Sequence, residues 1–170
     1  MADQVYPLVL TQDEIKALRI MIRVTHTHKL QNAAQVFSKA LKMHHEAVAM
    51  HGDIPGLATE DMFTESFTDA VVTLNNTYVL LEFPLMLEQG RKKNPQPTNV
   101  SIINVSQTQL DKIKEVTAIK YSVSDDDKEN SEMHGFLIRH QPGIQMAIET
   151  AEDIVNEEVQ ANHPMATGNN

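Results

Sequence analysis

One segment of this chain, residues 29–50, constrains the fold more than any other. Apolar residues recur there every three or four positions, and a glycine follows the last of them; the series is Leu30, Ala34, Phe37, Leu41, Val48 and then Gly52. This spacing places the side chains on one face of an α-helix, and glycine ends helices because it adopts a left-handed conformation without strain. A long helix with one apolar face must pack against another element, so the sequence predicts a helix-rich fold.

Capping signals predict further helices. Thr11 and Glu14 form a capping box that opens a helix to about Arg23, and Ser106 with Gln109 repeats this pattern before a short helix. Residues 24–28 are β-branched and polar and predict a break. Thr59 is placed to cap a helix from about residue 60, and Pro142 suits the first turn of a last helix.

Strands are predicted where β-branched residues cluster. Residues 5–10 suit an edge strand because Pro7 cannot donate to a ladder, and residues 99–105, 117–123 and 133–139 suit further strands. Residues 71–83 are either a β-hairpin turning at Asn75 and Asn76 or a longer helix with a polar interruption; the threonine, tyrosine and valine around the asparagines favour the hairpin.

These elements predict an α+β fold in which a mixed sheet of about four to five strands packs with long amphipathic helices. Residues 1–161 are expected to form a single α+β domain with an acidic loop at 124–132, and residues 162–170 a frayed C-terminal tail.

Composition excludes several classes of function. The 170 residues include no cysteine, which removes disulfide scaffolds, thiol nucleophiles and iron–sulfur clusters. The longest apolar stretch is interrupted by Glu82 and Pro84, so no transmembrane helix and no membrane partner are expected. No basic segment precedes the apolar N-terminal residues, and a cytoplasmic protein, or a virion-associated one if the source is viral, is expected.

Eight histidines, five of them between His26 and His51, invite a metal-site hypothesis. His26 and His28 would point the same way on an extended segment and need a third ligand, for which His44, Glu46, His134 and His140 are candidates. His44 and His51 lie about 10 Å apart along a helix and cannot share one zinc ion. A hydrogen-bonded structural role for His44 is the favoured alternative, and no cofactor is predicted.

Arg91, Lys92 and Lys93 form a basic loop that could contact phosphate. The net charge of −9 opposes nucleic-acid binding, and a solubilising loop is the alternative.

No complete catalytic or nucleotide-binding motif is found, which favours a non-catalytic assembly subunit over an enzyme. The chain is expected to bind proteins, to form a homo-oligomer or to be an accessory component of a larger assembly such as a virus or phage particle. A metal-dependent hydrolase using the histidines and an RNA-associated accessory factor using the basic loop are the two alternatives.

Overall fold

A computed structural model describes residues 3–91, 100–123 and 127–162 of the chain. Its elements, in chain order, are strand β1 (Val5–Thr11), helix α1 (Gln12–His51), helix α2 (Glu60–Arg91), strand β2 (Val100–Ser106), helix α3 (Gln107–Thr117) and helix α4 (Lys128–Ala161). The predicted helix-rich α+β class is confirmed, since 78% of the described residues are helical.

The chain forms two compact units. One comprises Met1–Ile22 and Leu80–Asn170, and the other is Arg23–Val79. Both boundaries fall inside long helices, because α1 and α2 each contribute residues to both units. That residues 1–161 form a single domain stays a prediction.

The first unit is organised around a small antiparallel sheet. Strand β1 pairs with β2 so that Leu8 is opposite Ile103, and alternate residues of both strands are buried. Helices cover that face with apolar side chains that are also buried: Ile15, Leu18 and Met21 of α1, Leu110 and Ile113 of α3, and Leu137, Ile144 and Ile148 of α4. Because strand side chains alternate between faces, the register fixes which half of each strand joins the core.

Both predicted capping boxes are confirmed. The Glu14 amide donates to Thr11 Oγ1 at 3.1 Å, and the Thr11 amide donates to Glu14 Oε1 at 2.8 Å. Ser106 and Gln109 make the same reciprocal pair at 3.2 and 2.8 Å. Each box satisfies amides that the first helical turn leaves without a partner.

A buried ion pair explains the charged residue within the apolar stretch of α2. Glu82 is only 7% exposed, and its Oε1 lies 2.6 Å from Nη2 of Arg19 on α1. A buried carboxylate is tolerated when a cation and hydrogen bonds compensate for the lost water. Glu82 therefore joins the two long helices within the first unit.

The prediction of four to five strands is wrong, because in the described residues the sheet has two strands. Residues 71–83 lie in α2, so the predicted hairpin at Asn75 and Asn76 is also wrong. Their apolar members continue the three-and-four spacing of a helix, and packing along that face overrides β-propensity. Hydroxyls on β-branched residues are also satisfied within the helix, since Thr77 Oγ1 donates to the carbonyl of Thr73 at 3.0 Å.

The two other strand predictions are also corrected. Residues 133–139 belong to α4, where Leu137 extends the buried helical stripe of Ile144 and Ile148 across Pro142. Residues 118–123 form no strand, and side-chain amides bind the carbonyls at the start of this segment. Gln141 Nε2 donates to the Thr117 and Ile119 carbonyls at 2.5 and 2.7 Å.

Two boundary predictions change as well. The break at residues 24–28 is wrong, because α1 runs without interruption to His51 and ends at Gly52, which has φ +69°. The acidic loop at 124–132 is shorter than predicted, since Asp127 caps α4 and residues 128–132 are helical; residues 124–126 lie outside the described part. The predicted frayed tail at 162–170 lies outside the described residues except for Asn162.

Gly143 provides a test of this packing. A methyl group at Gly143 would collide with the Glu14 carboxylate of the first capping box, whereas one at Gly135 on the same helix meets nothing within 4 Å. We expect Gly135→Ala to raise the free energy of unfolding by about 0.5–1 kcal/mol through helix propensity. Gly143→Ala should give no gain, because it displaces a capping side chain worth about 1 kcal/mol.

Denaturant unfolding followed by circular dichroism measures both variants. Introducing Glu14→Ala first should allow Gly143→Ala to become stabilising, as Gly135→Ala is. An equal gain from both glycine substitutions in the otherwise unchanged protein would contradict the contact.

Candidate interaction site

The second unit, Arg23–Val79, is a helical hairpin, and we use that name for it below. It consists of the C-terminal part of α1, a loop at 52–59 and the N-terminal part of α2. Thr59 begins α2 as predicted, since the Met62 amide donates to Thr59 Oγ1 at 3.4 Å.

Aromatic rings join the two helices along one line of contacts. Phe37 stacks on Phe67 with ring centroids 4.8 Å apart, and His26 stacks on Tyr78 with centroids 4.6 Å apart. The rings of His44 and Phe63 meet edge to face with centroids 5.5 Å apart. The inward positions follow a three-and-four spacing: Leu30, Ala33, Phe37, Ala40, His44 and Ala47 on α1, and Phe67, Val71, Leu74 and Tyr78 on α2. That spacing is typical of an antiparallel coiled coil.

No side chain of the hairpin is buried. All residues from 23 to 79 are described, and each is either partly or largely exposed to solvent. Two helices share a single layer of side chains, and that layer is open to water on both sides. A stable domain needs a core enclosed by packed layers, and the hairpin has no such enclosure of its own.

One side of the hairpin has an apolar groove of about 290 Å³. It is lined by Asn32, Ala33, Val36, Phe37, Ala40, Phe63, Ser66, Phe67 and Ala70. Val36 is 69% exposed beside it, and Met43 and Met50, which follow at steps of seven on the same side of α1, are 60% and 76% exposed.

The α2 side of the same groove carries small residues. Ser66 and Ala70 line it, and Thr73 and Thr77 continue their row at steps of seven. We call the large row on α1 (Val36, Met43, Met50) and the small row on α2 (Ser66, Ala70, Thr73, Thr77) the open face. Small residues allow another helix to approach closely, and exposed large ones can insert between the side chains of a partner.

Charge is divided between the two helices of the hairpin. The α2 part carries Glu60, Asp61, Glu65 and Asp69 and no lysine or arginine up to Val79. The α1 part carries Arg23, Lys29, Lys39 and Lys42 against the single carboxylate Glu46. The hairpin therefore has one basic helix and one acidic helix.

A hydrogen bond joins the two helices near the loop. His45 Nε2 lies against Glu60 Oε1, and this hydrogen bond, with the charge of the imidazole, lowers the pKa of Glu60 below its ordinary value. Both side chains are more than half exposed, so water and salt screen the pair. The His45–Glu60 pair helps to align the ends of the two helices, but it encloses no apolar surface.

Two of the predicted metal ligands, His26 and His28, lie on different sides of α1. Residues 24–28 are helical, so His26 and His28 point about 200° apart, and the extended geometry assumed for them is wrong. His26 packs on Tyr78, His28 is exposed, and His44 packs on Phe63. Among the described residues no group of three or more His, Asp or Glu side chains is placed to hold a metal ion.

The other candidate ligands have contacts of their own. Glu46 lies 4.0 Å from Lys42, His134 Nδ1 lies 2.7 Å from the Ser122 carbonyl, and the His140 ring packs on Phe136. The metal site stays a prediction from sequence, with no support from the helix that carries it.

The basic-loop prediction falls at the limit of the described chain. Arg91 is the last residue of α2, and its side chain, Lys92 and Lys93 lie outside the described residues. Nucleic-acid binding by this loop stays a prediction.

Helix α2 is more apolar than the interruptions at Glu82 and Pro84 indicated. By length and composition alone, residues Glu60–Gln89 qualify as a candidate membrane span, and 17% of the most apolar 18-residue window is buried. Glu82 and Pro84 do not prevent this, although both lie within the helix. Exposed apolar surface on a long helix is typical of a site that binds protein or lipid.

The first unit has an exposed apolar surface of its own. The outer face of the sheet presents Val5, Val9, Val100 and Ile102, which are 40–62% exposed. Ile102 also lines a groove with Pro84 and Leu87 of α2. This exposed face was not predicted, because the sequence indicated a larger sheet packed with long helices.

Comparisons of this chain with protein-family models, with curated proteins and with solved structures give no match.

The Phe37–Phe67 stack tests the alignment of the hairpin. We expect Phe37→Leu and Phe67→Leu each to destabilise the protein and the double variant to lose less than the sum. The coupling should be about 0.5–1.5 kcal/mol, the value typical of aromatic pairs. Val72 is exposed on the same helix, so a cycle of Phe37→Leu with Val72→Ala is the control and should be additive.

Chemical denaturation monitored by circular dichroism gives the four free energies of each cycle. Additive Phe37 and Phe67 substitutions would show that the rings do not meet, and the antiparallel alignment would then be wrong.

Proposed function

We propose that this protein is a non-catalytic assembly subunit that works through protein–protein contacts, with the hairpin as its contact element. The observation that carries the proposal is that Arg23–Val79 contains no buried side chain while it presents rows of exposed apolar residues. A partner that covers the open face would complete a core that the hairpin leaves half built.

The lining of the groove favours binding of a protein partner over catalysis. Its side chains are apolar, small or neutral, and no titratable group contributes to it. General acid–base catalysis needs a positioned titratable side chain, whereas a groove between two helices accepts the side chains of a third helix.

Polar residues on α2 favour protein over lipid as the occupant. Asp69, Asn75, Asn76 and Glu82 interrupt the apolar sequence of the helix. Within a bilayer each of these groups would lose its hydration, whereas at the edge of a protein interface they stay in water or find partners.

The wider setting stays a prediction from the sequence. A cytoplasmic complex and a virus or phage particle are both compatible with contacts made by the hairpin.

Substitution of the open face tests the proposal. We expect the wild-type protein to associate as its concentration rises, and Val36→Glu with Met43→Glu to abolish association, because both would place charge in an apolar contact. Val72→Glu is the matched control, since Val72 is an exposed valine on the hairpin outside the groove lining. It should associate as the wild type does.

Light scattering over a dilution series gives the masses, and flotation with lipid vesicles tests the alternative occupant. A protein that stays monomeric at its highest soluble concentration and floats with vesicles would contradict the proposal. Equal loss of association in the Val72→Glu control would remove the open face as the contact.

A further inference from the structure

We infer that the partner of the open face is a second copy of the hairpin, and that the two copies form a symmetric four-helix bundle in which α1 of each copy lies against α2 of the other. This inference rests on the proposed function, because it names the partner and the arrangement at the same surface. Shape, area and charge each contribute to it.

The two rows of the open face are complementary in size. Val36, Met43 and Met50 project from α1, and Ser66, Ala70, Thr73 and Thr77 leave room along α2. A two-fold axis that places the α1 row of one copy against the α2 row of the other fits large residues to small ones twice. Such an interface is self-complementary, as two-fold symmetry requires.

The open face is large enough for a stable dimer. The α2 part of the hairpin, Glu60 to Val79, is about 30 Å long at 1.5 Å per residue, and two packed helices are about 20 Å wide. The flat area of about 600 Å² is comparable with the roughly 800 Å² of accessible surface that each partner contributes to a standard interface.

Charge decides between the two ways in which the faces can meet. If the two-fold axis runs along the hairpin, basic α1 lies on acidic α2 of the other copy, and both such pairs are attractive. If the axis crosses the hairpin, α1 lies on α1 and α2 on α2, so that like charges meet twice. Opposite charges across an interface favour the first arrangement.

The alignment of the helices identifies the charges that meet. Phe37 is level with Phe67 and the helices are antiparallel, so Lys39 is level with Glu65, and Lys42 and Asp69 lie within about one turn of that level. All four side chains are exposed. In the inferred bundle the Lys39–Lys42 turn of one copy lies at the level of the Glu65–Asp69 turn of the other.

Charge reversal tests the arrangement. We expect Lys39→Glu with Lys42→Glu, and separately Glu65→Lys with Asp69→Lys, to weaken association by about tenfold, since like charges would then lie at the same level in both halves of the dimer. The variant with all four substitutions should associate with itself as strongly as the wild type. A mixture of the two double variants, one carrying a mass tag, should form the mixed dimer.

Lys39→Arg with Lys42→Arg is the control, because it keeps the positive charge at both positions. It should leave association unchanged. Circular dichroism of each variant reports that the helices remain, and sedimentation over a dilution series gives the dissociation constants.

Several outcomes would overturn the inference. Stronger association of the Lys39→Glu, Lys42→Glu variant would indicate that α1 meets α1. Failure of the four-substitution variant and of the mixture to recover association would show that these residues do not meet across the dimer. Neither outcome touches the proposed function, which fails instead if the wild type stays monomeric and floats with lipid vesicles.

Discussion

A single layer of side chains between two helices cannot exclude water, and this constraint governs the hairpin. The inward side chains of the two helices, which we call the seam, touch each other, as the stacked rings of Phe37 and Phe67 show. Each of them nevertheless remains partly exposed to solvent. Hydrophobic stabilisation scales with the apolar area removed from water, so a seam that stays wet contributes little of what its residues could supply. The same residues enclosed between four helices would contribute far more.

The first unit shows what enclosure achieves with the same kind of elements. Its small sheet has one face covered by three helices, and Leu8, Leu10, Ile15 and Leu18 are fully buried there. A charged pair beside this core, Arg19 with Glu82, is held by short contacts rather than left to water. The protein therefore combines one unit that has a buried core with a hairpin that has no buried side chain. This contrast supports the proposal that the hairpin makes the contacts.

Local signals in the sequence predicted the ends of elements well. The capping boxes at Thr11 and Ser106, the cap at Thr59 and the terminating Gly52 all depend on hydrogen bonds or backbone angles within a few residues, which a sequence specifies directly. The failures occur where packing between distant segments decides. Residues 71–83 have the composition of strands, and only their alignment with the inward face of α1 shows why they are helical.

The candidate site could be predicted in part for the same reason. The apolar stripe of Leu30 and Phe37 was visible, but its partner on α2 was hidden by the expected turn at Asn75 and Asn76. Without that partner the histidines were left without neighbours and suggested a metal. The ring contacts of His26 with Tyr78 and of His44 with Phe63 were therefore not expected. The three-and-four spacing that continues from Phe67 through Val71 and Leu74 to Tyr78 was the signal that could have shown this.

Hydrogen exchange of the hairpin amides, measured over a wide range of protein concentration, tests most directly the claim that the hairpin depends on a partner. If a second copy encloses the seam, protection of amides in 23–79 should rise with concentration, while protection of the first unit's core stays constant. Strong protection of the hairpin that is the same in dilute, monomeric protein would contradict the account, because the hairpin would then be stable by itself.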